Sequence, residues 1–252
     1  MRFATSSLPI AGLSLVLTII GPHTIVAAAD QPTAPAASQQ DDLSSPVYTL
    51  PKKLTPRARV GGALRGTEGN EPEIVALVPD HVGLTVKQTP TLSWYLSKPT
   101  TYPLRFTLND TQKIRPVYEG PLPTPVDAGV QSIDLKAFGL VLEPNVQYRW
   151  FVSARRNSDS HSQDIVAGGM IERCEFSECL TIASPNMNCD GESVRTNALM
   201  GLWYDAMDCL CSLITKDPRD ASLRRMRAAL LRQVGLHGVA DWDLRSIQIN
   251  AK

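Results

Sequence analysis

The sequence has no excess of either charge: 25 Lys and Arg stand against 25 Asp and Glu over 252 residues. That balance speaks against a dedicated nucleic-acid binder, whose domain is usually strongly basic. Aromatic residues are scarce, at 6%, so each Trp and Tyr has to be accounted for. No internal apolar run reaches the roughly 20 residues of a membrane helix, which excludes a multispanning protein. Also missing are a Gly-x-Ser-x-Gly elbow, a His-Glu-x-x-His pair and an acidic calcium loop. The four histidines are dispersed, His23 near the N-terminus and His81, His161 and His237 in loop-like contexts. No catalytic set, cofactor or metal is therefore expected, and a non-enzymatic role is favoured over an enzymatic one.

What is present starts with a leader. Met1-Arg2 is a short positive start, Leu8 to Ile20 an apolar stretch, and Ala27-Ala28-Ala29 a small-residue cleavage signature. Residues 1–29 read as a secretory signal peptide rather than an uncleaved anchor, because Pro9, Gly21 and Pro22 break a stretch already shorter than a typical span. Cleavage deletes Arg2 and no acid, leaving a formal charge of −1. A periplasmic or secreted protein is expected, with no transmembrane segment once the leader is gone. Residues 30–71 then turn to Pro, Ala, Ser and Gln without apolar periodicity, and read as a disordered tether. Its end carries Lys52, Lys53, Arg57, Arg59 and Arg65 among glycines. A solvated basic lead-in is expected there rather than a phosphate loop, since no Gly-Lys-Ser/Thr follows.

Residues 72–175 alternate with period 2. Leu92, Trp94 and Leu96 alternate with polar or half-polar neighbours, as do Leu104, Phe106 and Leu108, Ile133 and Leu135, and Val146, Tyr148, Trp150 and Val152. With Ile74–Val78 or Gly83–Lys87, Ile114–Glu119 and Ile165–Ile171 this makes about seven strands, the number a β-sandwich needs. Tyr148 follows the corner Leu142-Glu143-Pro144-Asn145 and resembles the tyrosine corner of immunoglobulin and fibronectin type III sandwiches, with Trp94 as the aromatic core plug.

The last third changes period. Leu199, Leu202, Trp203, Ala206, Met207, Leu210, Leu213 and Ile214 predict one amphipathic helix over about 193–215. After Lys216-Asp217-Pro218, a second helix runs to Gly235, with Asp217 to Asp220 as cap candidates. The expected architecture is thus mainly β with α: an immunoglobulin or fibronectin III-like sandwich, a Cys-bearing connector over 176–192, an antiparallel helical hairpin like one tetratricopeptide unit over 193–240, and a tail over 241–252.

Several strings occur in a telling order: Arg59-Val60-Gly61-Gly62, Ala76 through Thr85, Pro90 through Tyr95, Tyr148-Arg149-Trp150-Phe151, Gly201-Leu202-Trp203-Tyr204-Asp205-Ala206, Arg227 through Leu231, and Val234-Gly235-Leu236. They resemble the bacterial exported family catalogued as domain of unknown function 928, over about residues 59–240. The resemblance implies an exported bacterial protein and carries over no catalytic residues. The segment 174–189 departs from the family's pattern.

Five cysteines remain: Cys174, Cys179 and Cys189 on the connector, and Cys209 and Cys211 on the first helix. Two residues apart on a helix means about 200° of rotation, so the last two point to opposite flanks. Three arrangements compete. A structural disulfide suits an oxidising compartment and is the expected one, either within the connector, as Cys179 to Cys189, or from a helix cysteine back to it; a zinc site lacks Cys-x-x-Cys pairs, and buried free thiols complete the set. Asp205, beside Trp203 and Tyr204, is expected to hold a fixed hydrogen bond or a partner contact. Trp94, Tyr148, Trp150, Trp203, Tyr204 and Asp205 are accordingly structural or interaction candidates. The expected function is an exported interaction or structural module of the bacterial envelope, its partner another envelope or secreted protein, with homo-oligomerisation open. The alternative is a hydrolase or carbohydrate-active protein with a site where sandwich meets hairpin, near His81 or Asp205.

Overall fold

The computed structural model describes residues 45–51, 58–61, 71–156, 164–175 and 188–250, with side chains to residue 247. Their fold is mixed α/β, two sheets and four helices. The strands are β1 (Ile74–Ala76), β2 (Gly83–Thr85), β3 (Thr91–Leu96), β4 (Leu104–Asp110), β5 (Tyr118–Leu122), β6 (Gly129–Asp134), β7 (Gln147–Ala154) and β8 (Ile165–Arg173). One sheet has the order β1-β3-β6, the other β2-β8-β7-β4-β5. All pairings are antiparallel except β2 with β8.

Alternation explains the central pair. On β4, Leu104, Phe106 and Leu108 are buried while Arg105, Thr107 and Asn109 are half-buried. β7 repeats the pattern, and the register sets Phe106 opposite Val152 and Leu108 opposite Trp150, so both strands send one face to a single core. β3 is buried on both faces, because Trp242 covers its Tyr95 at 5.1 Å between ring centroids.

Two strand expectations are corrected. Ile74–Ala76 and Gly83–Thr85 are both strands, one in each sheet, so the chain changes sheet between them. The strand expected at Ile114–Glu119 begins later, at Tyr118. Asp110 holds the intervening turn by accepting from the Gln112 N–H at 2.9 Å and pairing with Lys113, which leaves Ile114 fully exposed. β5 lies at the sheet edge, where Pro121 removes no ladder bond.

The helical expectation is corrected further. The helices are α1 (Gly191–Leu199), α2 (Trp203–Lys216), α3 (Ala221–Gln233) and α4 (His237–Asn250). The single helix predicted over 193–215 breaks at Met200-Gly201-Leu202, where Gly201 takes φ +77° and a Cβ would come within 3.0 Å of the Thr49 carbonyl oxygen. The apolar spacing runs through this break, which is why periodicity alone misses it. Asp190 caps α1 by accepting from the Ser193 N–H at 2.8 Å. Asp220 caps α3 by accepting from the N–H groups of Ser222 and Leu223 at 2.7 and 3.1 Å. Residues 241–250, expected as tail, belong to α4 and bury Asp243. Hence the helical hairpin is a four-helix arrangement. No described helix is long and apolar enough to cross a membrane.

The expected tether, residues 30–71, is also partly replaced by packed chain. Tyr48 is 8% exposed and joins the main core, Ala58 is buried, and Val60 bridges Gly168 of β8. One buried ring and a few main-chain bonds secure a segment whose composition is otherwise polar. Arg59, expected as a solvated charge, donates to the carbonyls of Val78 and Val234, both at 3.0 Å; burial lowers its pKa, with Asp80 opposing. Lys52, Lys53, Arg57, Arg65 and the leader lie outside the described residues.

Candidate functional site

The first turn of α2 is where helices and both sheets meet, and three consecutive side chains make the junction. Trp203 donates its indole N–H to the Leu77 carbonyl at 2.8 Å, just after β1. Tyr204 accepts from the Trp150 indole of β7 at 2.8 Å and donates to the Met170 carbonyl of β8 at 3.0 Å. Its ring lies against Gly83 of β2, where a Cβ would stand 2.7 Å from the ring edge; only glycine leaves room for it. Burial raises the phenol's pKa.

Asp205 completes the set. It accepts from the Val86 N–H at 3.2 Å and from the Thr85 hydroxyl. Burial pushes its pKa up to about 6, against the lowering effect of the Thr85 bond and the Lys87 charge. Lys87 itself pairs with Asp208 one turn further on, at 2.6 Å. His81 closes the neighbouring corner. Its Nδ1 lies 2.9 Å from the Val82 carbonyl and its Nε2 3.4 Å from the Tyr48 phenol, whose ring stacks parallel over it and meets Trp203 edge-on.

Every polar tip in this junction is thus engaged within the chain, and Asp205 is 3% exposed. Such an arrangement binds elements together, with the buried Asp205 carboxyl holding the Thr85-Val86 end of β2 to α2. Among the described residues, a shallow depression of about 80 Å³ lies between the ends of β4, β5 and β7, lined by Pro103, Arg105, Pro121, Ser153 and Arg155. Among the described residues no three His, Cys, Asp or Glu side chains converge as metal ligands.

The other candidates are core residues. Trp94 and Trp150 are buried in β3 and β7. The Tyr148 phenol accepts from the Glu143 N–H at 3.1 Å, so the backbone group it satisfies is a donor. Cys189 is bonded to Cys209, with Cα atoms 5.3 Å apart, which ties the connector to α2 and closes off a Cys179 to Cys189 bridge. Cys174 is also disulfide-bonded; Cys179 lies outside the described residues. Cys211 is a buried free thiol that accepts from Arg227 at 3.5 Å.

Four further residues, Tyr48, Arg224, Arg227 and Asp243, carry the assembly with little local signal in the sequence to mark their role. Arg227 grips Asp243 with two bonds of 2.7 and 2.6 Å in full burial, and Arg224 adds a third at 3.4 Å. Burial opposes the Arg227 charge, but Cys211 and Asp243 outweigh it and hold the guanidinium protonated. Tyr48 had one available signal: it is the lone aromatic between Phe3 and Trp94.

Comparisons with known proteins add a family. A family model described as Domain of Unknown Function (DUF928) matches residues 60–244. No curated protein matches the chain. Among solved structures, a multi-domain immunophilin from Arabidopsis thaliana is 9% identical and covers 79% of this chain and 100% of its own, with a TM-score of 0.17, a value that supports no argument about fold or function.

Proposed function

The chain belongs to the family Domain of Unknown Function (DUF928), and we propose that it is an exported, non-enzymatic interaction or structural module of the bacterial envelope. The observation that carries this reading is the closed junction. Trp203, Tyr204 and Asp205, the residues with the most chemistry to offer, are enclosed and hydrogen-bonded to Leu77, Trp150, Met170 and Val86. A chain that commits these groups to holding itself together works through its surface. Export is supported by the signal-peptide-like pattern of residues 1–29, by the Cys189–Cys209 disulfide and by the disulfide-bonded state of Cys174.

The scaffold we propose is an immunoglobulin or fibronectin III-like sandwich with a helical cap. Its support is the division into β1-β3-β6 and β2-β8-β7-β4-β5 together with the Tyr148 bond to the backbone five residues upstream. The outward side of β4 and β7, with Arg105 and Thr107 half-buried and Arg149 exposed, offers a binding face. The test is in-cell photo-crosslinking from Thr107, read with the intact mass of the product. The expected result is a chain beginning near Asp30 with a discrete protein adduct. A retained Met1, or no adduct from Thr107 or Arg149, overturns the reading.

A further inference from the structure

The segment Ser45–Pro51 lies across the helical side of the junction in a manner that differs from ordinary core packing. Its side chains alternate: Pro46 and Tyr48 are buried, whereas Val47, Thr49 and Leu50 face outward, Val47 and Leu50 being 62% and 58% exposed. Gln233 at the end of α3 holds the backbone at both buried residues. Its amide oxygen accepts from the Tyr48 N–H at 2.8 Å, and its amide nitrogen donates to the Pro46 carbonyl at 2.9 Å. A further bond from Gln233 to the Ala229 carbonyl at 3.1 Å fixes the amide. Thr49 donates its N–H at 3.0 Å to the Ala198 carbonyl in the last turn of α1, which also accepts from the Gly201 N–H. Its own carbonyl runs close over Gly201, whose missing Cβ gives it space.

One side chain is read specifically. The Tyr48 ring enters between His81 and Trp203, stacked on the first and edge-on to the second, with its phenol at 3.4 Å from His81 Nε2. Backbone contacts that ignore sequence, together with pockets for alternate side chains, are how extended peptides are recognised.

We infer that the surface formed by the ends of α1 and α3 and the His81-Trp203 corner is a binding groove for an extended Pro-x-Tyr peptide, filled in the resting chain by its own residues 45–51. This goes beyond the interaction reading above, whose binding face on β4 and β7 is a different surface. Tethering gives the internal segment an effective concentration on the order of millimolar, so an outside peptide gains the groove only in competition with it.

The probe is a synthetic peptide of the sequence Ser45–Pro51. Tyr48→Ala in the full chain empties the ring site while leaving every groove residue in place. The peptide is expected to bind this variant at least about tenfold more tightly than the wild type, and a peptide with Tyr replaced by Ala is expected to bind neither. Equal binding to both chains, equal binding of the two peptides, or none to a folded variant overturns the groove. A fold-safe arm uses the wild-type chain with a protease site placed within 52–57. After cutting, the N-terminal fragment should co-elute with the body until excess peptide displaces it; immediate loss of the fragment, or no exchange at all, counts against the proposal. Crosslinks from Thr107 are read separately, so failure of the groove and failure of the module are distinguishable.

Discussion

Trp150 and Tyr204, 54 residues apart in the chain, share a hydrogen bond of 2.8 Å, and the same phenol donates onward to the Met170 carbonyl at 3.0 Å. One hydroxyl thus satisfies a donor on β7 and an acceptor on β8 while standing on α2. Tyr204→Phe leaves both buried groups unpaired and is expected to cost about 2–3 kcal/mol in chemical denaturation. A loss under about 0.5 kcal/mol would show that the relay carries no weight.

Tyr148→Phe removes the acceptor for a single partly buried N–H, that of Glu143. The expected cost is about 1 kcal/mol, smaller than at Tyr204 because one group rather than two is left unpaired. Urea melts of the two variants, run together, test the ranking.

Asp205 makes stability depend on pH in a stated direction. Its folded pKa of about 6 lies above the ordinary 3.8, so between those values the folded chain binds more protons than the unfolded one. Stability from this group is full below about pH 4 and is lost as pH rises through about 6, by roughly 3 kcal/mol in all. Asp205→Asn keeps an acceptor for Thr85 and Val86 and should flatten that slope. Unfolding free energies at pH 4.5 and 7.5 for both chains give the answer; parallel slopes would refute it.

Asp243→Ala strands the Arg227 charge in the interior and is expected to cost about 3–5 kcal/mol. The double change Arg227→Met with Asp243→Leu should recover much of that loss, since it removes both charges at once. A double-mutant cycle on thermal unfolding measures the coupling, and simple additivity would speak against the pair.

Peptide mapping under non-reducing conditions should recover Cys189 linked to Cys209 and Cys211 as an alkylatable thiol only after unfolding. In the chain-entropy account a loop of this length is worth about 3 kcal/mol, so Cys209→Ser should lower the denaturation midpoint. An alkylatable Cys209 in oxidised native protein would contradict the link.

The strands were legible where one face meets the core and the other meets water, as on β4 and β7, because burial then imposes a two-residue period. The helix break at Gly201 was not, since Leu199, Leu202 and Trp203 keep helical spacing across it and the need for glycine comes from Thr49, far away in sequence. Asp205 could be singled out by its aromatic neighbours, but not its link to Val86 and Thr85. Asp243 carried no local signal, because its partner Arg227 lies on another helix and reads as a surface charge. Tyr48 was hidden by composition: a proline-rich polar stretch looks unstructured even when one ring in it has a socket.

The position of the Trp203-Tyr204-Asp205 turn in the chain sets an order of events. A growing polypeptide emerges N-terminus first, so all eight strands exist before the three side chains that close the β1, β2 and β8 side have been made. Until then the Trp150 indole and the carbonyls of Leu77 and Met170 lack their final partners, and Gly83 faces an empty space the width of a phenol ring. The β1, β2 and β8 side of the sheets therefore stays uncovered until residues from the last fifth of the sequence reach it, and a chain truncated before residue 203 would keep these buried polar groups without their partners.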